Sequence, residues 1–295
     1  MTVHSQHIIE TRRLFQAYLA GQVSSRYGDA ESAVQSYVLN SGGKYVRPLL
    51  CLLTAEALAG DIQSALAAAS ALELVHTYSL VHDDLPCMDD DDTRRGKPTA
   101  HKAFGEAQAV LGGDALLTDA FALLAGAGSD GEERLLASRQ RLAMVRELAT
   151  AAGSQGMVLG QHLDLYWTAR HGAGLDELNR IHRHKTGDLL GASAAMGAIA
   201  AGAPDSVVDR CRHFGRLLGL AFQVQDDLLD DSAATGKSRG KDREAGKLTY
   251  LALMSPEAAS DAAAAYTQEA LATIQSLPSS AVLIEFVLSL LGRTR

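Results

Sequence analysis

Two acidic clusters, far apart in the chain, hold the residue types best suited to chemistry. The first, Asp83, Asp84 and Asp89 to Asp92, puts six carboxylates within ten residues, and Arg94 and Arg95 follow at once. The second, Gln223-Val-Gln-Asp226-Asp227-Leu-Leu-Asp230, again closes an apolar run. Carboxylates this crowded repel one another unless a cation sits among them. One such run reads as a solvated turn. Two, each ending a helix that looks buried, read as facing metal sites. Oxygen ligands without His or Cys select Mg²⁺ or Mn²⁺ over zinc. A calcium loop fails on position: counting from Asp89 the sixth residue is Arg94 rather than Gly, and counting from Asp91 the twelfth is Lys102 rather than Glu.

Spacing says how each cluster can converge. Asp226 and Asp230 are four apart and share a helix face, with Gln223 a turn before them. Asp83 and Asp89 are six apart, which an intact helix would point in different directions. Pro86 breaks that helix just after Asp84, and the break at Leu85-Pro86-Cys87 lets Asp89 fold back beside Asp83.

Mg²⁺ held by a few carboxylates commonly shares its shell with substrate phosphates. Cations suited to a polyphosphate recur in the chain: Lys44 and Arg47 at a helix start, Arg94 and Arg95, Lys185-Thr186 amid apolar neighbours, and Lys237 and Lys247 after the second cluster. Each alone reads as a surface residue; their placement beside the acidic motifs gives them meaning. Neither GxGxxG nor GxxxxGK[ST] occurs, so the phosphate carrier is an apolar diphosphate rather than a nucleotide.

The elements that must position these groups read as helices. The 295 residues include only 6 prolines and 5% aromatics, with alanine and leucine abundant, a composition that loses little rotamer freedom in helices. Periodicity predicts helices over about 6–20, 31–39, a third opened by the turn at 41–48, and a long one capped by Asp61 and running into Asp83. Gly112-Gly113 reads as the boundary before an apolar helix from Ala115. Further helices are expected over 132–152, 156–168, 175–201 and from Pro204 to about Asp231, then a polar loop over 235–247 and two closing helices. With no linker and no repeat, the expected architecture is a single all-α domain over residues 1–295, a bundle of ten or more helices around a central cavity.

Charge excludes one class of partner. With 27 basic and 35 acidic residues, a net of -8, and no basic stripe, nucleic acid is not expected. Cys51, Cys87 and Cys211 form no CxxC pair, which suits a reducing cytoplasmic setting. The N-terminal residues lack a signal-peptide layout. The apolar run 282–291 contains Glu285 and is too short to span a bilayer, so no stable membrane insertion is expected.

Taken together, these motifs carry a resemblance. Gly-Gly-Lys-x-x-Arg-Pro (42–48), Asp-Asp-Leu-Pro-Cys-Met-Asp (83–89), Arg-Arg-Gly-Lys-Pro-Thr (94–99), Gly-Gln-x-x-Asp (160–164), His-Lys-Thr-Gly (184–187) and Phe-Gln-Val-Gln-Asp-Asp-Leu-Leu-Asp (222–230) stand in order. The chain resembles the trans-isoprenyl diphosphate synthases, and among them the bacterial farnesyl diphosphate synthases. The resemblance implies head-to-tail condensation of isopentenyl diphosphate with dimethylallyl or geranyl diphosphate. It further implies isopentenyl diphosphate on Gly43, Lys44, Arg47, His76 and Arg95. His76 also lies two turns before Asp83 on one face. The allylic diphosphate would be held through Mg²⁺ on Asp83, Asp89 and Asp226, assisted by Asp84 and Asp230, with Arg94, Lys185, Thr186, Gln223, Lys237 and Lys247 around it. Gln161 and Asp164 support the metal shell or serve structure. About three Mg²⁺ ions per active site are implied, with Mn²⁺ as a substitute, as is a homodimer.

Chain length rests on Tyr78, with Ser79 beside it. Five residues before Asp83 is roughly 7 Å down a helix at about 1.5 Å per residue, where an aromatic ring can floor the prenyl cavity. In this family that pattern, with the longer first aspartate motif, goes with a fifteen-carbon product. A geranylgeranyl or geranyl diphosphate synthase is the alternative. A terpene cyclase would not need Lys44, Arg47 and Arg95 for a second diphosphate, and a non-catalytic partner subunit would tend to lose aspartates that are intact here. A structural helical bundle is the remaining reading.

Overall fold

The computed structural model describes residues 2–29, 32–126, 137–168, 170, 172–231 and 248–292. The helices are α1 (Val3–Arg26), α2 (Ala33–Leu39), α3 (Val46–Ala57), α4 (Ile62–Asp83), α5 (Ala100–Phe104), α6 (Glu106–Ala125), α7 (Ser138–Ala152), α8 (Met157–Trp167), α9 (Leu175–His182), α10 (Asp188–Ala200), α11 (Asp205–Asp231), α12 (Tyr250–Leu253), α13 (Pro256–Ile274) and α14 (Ala281–Leu291). Among the described residues the one sheet is a hairpin of two-residue strands, β1 (Thr93–Arg94) and β2 (Lys97–Pro98). The all-α expectation holds.

At the centre lies α10, buried from Asp188 to Ala200. Its sequence, Asp-Leu-Leu-Gly-Ala-Ser-Ala-Ala-Met-Gly-Ala-Ile-Ala, is rich in small residues, so α3, α4, α7 and α11 pack directly around it. One apolar core joins residues from α1 to α14, with Phe15, Leu49, Leu72, Leu148, Met196, Phe214 and Leu283 among its members. Asp61 caps α4 by accepting a hydrogen bond from the Gln63 amide, 3.0 Å, so the long helix begins where its cap residue dictates.

Three expectations are corrected. α1 runs from Val3 to Arg26, with Thr2 as its N-cap, longer at both ends than the stretch first read as periodic. Gly112-Gly113 does not mark a boundary, because α6 passes straight through both. A side chain at either glycine would collide with Val34 or His82, so these glycines admit neighbours to the α6 backbone rather than end the helix. The stretch 175–201 is not one α-helix. Residues Arg183–Gly187 form a π-helical turn between α9 and α10, with the Asp188 amide donating to the Arg183 carbonyl five residues back.

Candidate active site

The acidic end of α4 anchors the site. After Asp84 the chain turns at Leu85-Pro86, and the Asp89 amide donates to the Asp83 carbonyl at 2.8 Å, folding the second half of the motif back onto the first. The hairpin follows, with Thr93 paired to Pro98 and Arg94 to Lys97. Its two turn residues, Arg95 (φ 55°) and Gly96 (φ 76°), both have positive φ, the type of turn a two-residue hairpin favours. This turn sends Arg94 and Arg95 to different places.

Arg94 forks onto Asp84. Its Nε donates to both carboxylate oxygens at 2.8 and 2.9 Å, and Nη2 lies 2.6 Å from Oδ1. Asp84 is 3% exposed. Burial raises its pKa, while Arg94 opposes that rise. Asp84 therefore serves as a tether for Arg94. Arg95 instead lies over Gly43: a Cβ there would sit 3.0 Å from both Nη1 and Nη2. A side chain at position 43 would press on this guanidinium.

The residues expected to bind isopentenyl diphosphate lie close together, with Arg95 over Gly43 and both Arg47 and Arg95 acting on His76. His76, on α4, is half-buried. Burial, reinforced by Arg47, Arg95 and Arg94, drives its pKa well below the ordinary value, so its imidazole is neutral at pH 7. Arg47, near the start of α3, is lowered to about 10 by burial, with Glu73 opposing. Its Nε is buried with no hydrogen-bond partner. Glu73, a turn before His76 on α4 and 3% exposed, is raised to about 7 by burial, against the pull of Arg47 and Arg95. Its helical spacing to His76 was the signal that could have disclosed it. Lys44, next to Gly43 in the chain, is exposed.

A chain of contacts runs from the first aspartate motif to the second. Gln161, on α8, donates its amide to Asp83 Oδ1. Asp164, a turn further along α8, pairs with Lys185 Nζ at 2.5 Å. The neighbouring Thr186 hydroxyl donates to Gln223 Oε1 on α11 at 2.8 Å. Gln223 then leads by helical spacing to Asp226 and Asp230, both exposed on α11. Asp83 is half-buried. Burial raises its pKa to about 6; Lys185 and Arg94 lower it, and Asp89 and Asp84 add to the rise. Lys237 and Lys247 lie outside the described residues.

Among the described residues, no three His, Cys, Asp or Glu side chains form a ready metal cage. The donors nonetheless suit magnesium. They are hard oxygens, and a dication beside Asp83 would offset the burial and the neighbouring carboxylates that raise its pKa. A cation of this kind takes few protein ligands and completes its shell with phosphate and water. Tyr78 is buried and sets its ring edge-on to His82, with centroids 5.7 Å apart, on the α4 face toward α6. Ser79 lies a turn below Asp83 and donates to the His76 carbonyl at 2.8 Å.

In this all-helical bundle, two aspartate motifs linked by side-chain contacts lie with a cluster of arginines, a set of groups suited to holding metal ions and phosphates. Comparison makes this specific. The chain belongs to the polyprenyl synthetase family, whose profile matches residues 31–282; these are the trans-isoprenyl diphosphate synthases. It is 48% identical over 239 residues to putative geranylgeranyl pyrophosphate synthase 8, chloroplastic, of Arabidopsis thaliana, covering 79% of this chain and 65% of that protein. A geranyltransferase structure from Legionella pneumophila superposes with a TM-score of 0.84 at 34% identity, covering 99% of this chain and 98% of the other. A Helicobacter pylori geranyltransferase complexed with magnesium and isoprenyl diphosphate gives 0.79 at 30% identity, covering 99% and 97%.

Proposed function

We propose that this chain is a magnesium-dependent trans-prenyltransferase that joins isopentenyl diphosphate to an allylic diphosphate, with farnesyl diphosphate as its product. The observation that carries this is the contact chain Asp83–Gln161, Asp164–Lys185, Thr186–Gln223, which ties the two aspartate motifs together beside a separate arginine pocket. Asp83, Asp89 and Asp226 would hold magnesium, with Asp84 and Asp230 in support. Bound there, magnesium supplies positive charge against the departing diphosphate.

The protein's own groups do the rest. Lys185 and Thr186 hold the allylic diphosphate where its C–O bond breaks, and Arg94 adds charge from its tether on Asp84. Arg47, Arg95 and Lys44 bind the diphosphate of isopentenyl diphosphate, which does not leave. The double bond of that substrate attacks the allylic carbon, a C–C bond forms, and a proton then passes from the adduct to the released diphosphate. Neutral His76 donates a hydrogen bond on the isopentenyl side. No side-chain nucleophile is required.

Farnesyl specificity rests on buried Tyr78 as the floor beneath the growing chain. A geranylgeranyl product is the second reading, favoured by the activity for which the 48%-identical Arabidopsis protein is named. The apolar residues Val110 and Leu111 on α6 and Leu142 on α7 are exposed, which supports burial against a second copy and hence a homodimer. Among the described residues the one helix long and apolar enough to cross a membrane is α6, and it packs along α4. Three unbridged cysteines support a reducing, cytoplasmic compartment. The test is incubation with labelled isopentenyl diphosphate, dimethylallyl or geranyl diphosphate, and Mg²⁺, followed by chain-length analysis. Fifteen-carbon product supports the reading; twenty-carbon product replaces it with the geranylgeranyl one; no condensation in any combination refutes both.

A further inference from the structure

The π-helical turn that carries Lys185 and Thr186 has a buried carboxylate at its exit. Asp188, 3% exposed, accepts from Arg216 Nε at 2.7 Å through Oδ1 and contacts His184 Nδ1 at 2.8 Å through Oδ2. Each oxygen thus grips a different element. His184 belongs to the turn itself, immediately before Lys185. Arg216 belongs to α11 and lies seven residues, two turns, before Gln223, on the helix face that continues to Asp226 and Asp230. At the same crossing the α11 backbone touches the turn: a Cβ on Gly219 would lie 2.6 Å from Gly187 Cα. The other flank of the turn lies against Gly160 of α8, where a Cβ would strike the Lys185 backbone.

We propose that Asp188 is a positioning residue for the allylic side of the site. It locks the axial register of α11 against the π turn, so that Lys185 and Thr186 meet Gln223 and the second aspartate motif at one fixed offset. Arg216 is the matching half of the lock. A one-turn or smaller slip between two packed helices is resisted only weakly by interchangeable apolar contacts. A carboxylate held by two directional partners resists it strongly. Asp188 and Arg216 also help line a groove of about 900 Å³ between α7, α10 and α11. None of Asp83, Asp89, Asp226 or Lys185 lines that groove, so the lock acts on the site from behind rather than by touching substrate.

This inference rests on the prenyltransferase reading, and the experiment separates the two. Lys185→Ala, Asp188→Asn, Arg216→Gln and the double variant Asp188→Asn/Arg216→Gln are compared for kcat and for KM of each substrate. Asp188→Asn and Arg216→Gln should each raise the allylic KM and lower kcat, together by about tenfold in kcat/KM. The KM for isopentenyl diphosphate should stay within about twofold, and the double variant should be no worse than the poorer single one. Loss of only thermal stability, equal loss on both substrates, or additive effects would overturn the lock. Should Asp188→Asn fail to fold, unaltered allylic kinetics in Arg216→Gln would overturn it as well. A Lys185→Ala enzyme with no allylic defect would instead refute the underlying reading.

Discussion

Gly219→Ala tests how tightly the site depends on helix approach. The added methyl would sit 2.6 Å from Gly187 Cα and 3.1 Å from Gly187 N. Both are backbone atoms and cannot rotate aside. Ordinary contact begins at 3.4 Å, so α11 and the π turn must part by about 0.8 Å, a strain of about 1–3 kcal/mol that a folded protein survives. The Thr186–Gln223 hydrogen bond, now 2.8 Å, would stretch to the edge of bonding. A misplacement of about 1 Å can cost about 10²-fold in rate, so kcat should fall about ten- to a hundredfold. Steady-state kinetics with both substrates, alongside circular dichroism, reads this directly. Gly21→Ala is the control, since nothing lies within 4 Å of its added methyl. That variant should keep wild-type kcat and gain about 1 kcal/mol of stability. A folded Gly219→Ala enzyme with wild-type kcat and allylic KM would refute the reasoning.

Other outcomes follow from the same geometry. Arg47→Ala should raise mainly the KM for isopentenyl diphosphate, by about tenfold or more, whereas Lys185→Ala acts on the allylic KM and kcat; indistinguishable effects on both substrates would mean the pockets are misassigned. Tyr78→Ala should stay active and extend products to twenty carbons or longer, and an active variant still stopping at fifteen moves the limit elsewhere. Glu73 has its folded pKa raised from 4.5 to about 7, so its stabilising contribution is full below pH 4.5 and is lost as pH rises through 7. Glu73→Gln removes that loss, so its melting temperature relative to wild type should be higher at pH 8 than at pH 5. A difference that does not change between the two pH values contradicts the assignment.

Much of the site was legible because its spacing is local. Asp226, Asp230 and Gln223 share a face by helical arithmetic alone, and Pro86 forces the fold-back that brings Asp89 to Asp83. Asp61 announced the start of α4. What escaped depends on contacts between distant segments. Gly112-Gly113 looked like punctuation because a glycine pair breaks helices in isolation; only the approach of Val34 and His82 shows its packing role. The π turn at Arg183–Gly187 leaves no periodic signature, since one extra residue shifts the pattern rather than erasing it. Asp84 read as an assistant to the metal-binding aspartates, yet Arg94, ten residues on, pairs with it through a hairpin that composition does not disclose. Asp188 and Arg216 are 28 residues apart, and nothing in either neighbourhood links them.

In the proposed mechanism the two aspartate motifs act together on one departing diphosphate. The most direct measurement of this is turnover of purified Asp83→Ala and Asp226→Ala under saturating Mg²⁺ and both substrates, with the helical circular dichroism spectrum recorded for each. Each variant should keep the wild-type spectrum and lose about 10³-fold or more in kcat, because only the electrostatic support for ionisation has gone. Near-wild-type turnover in either folded variant would contradict the account.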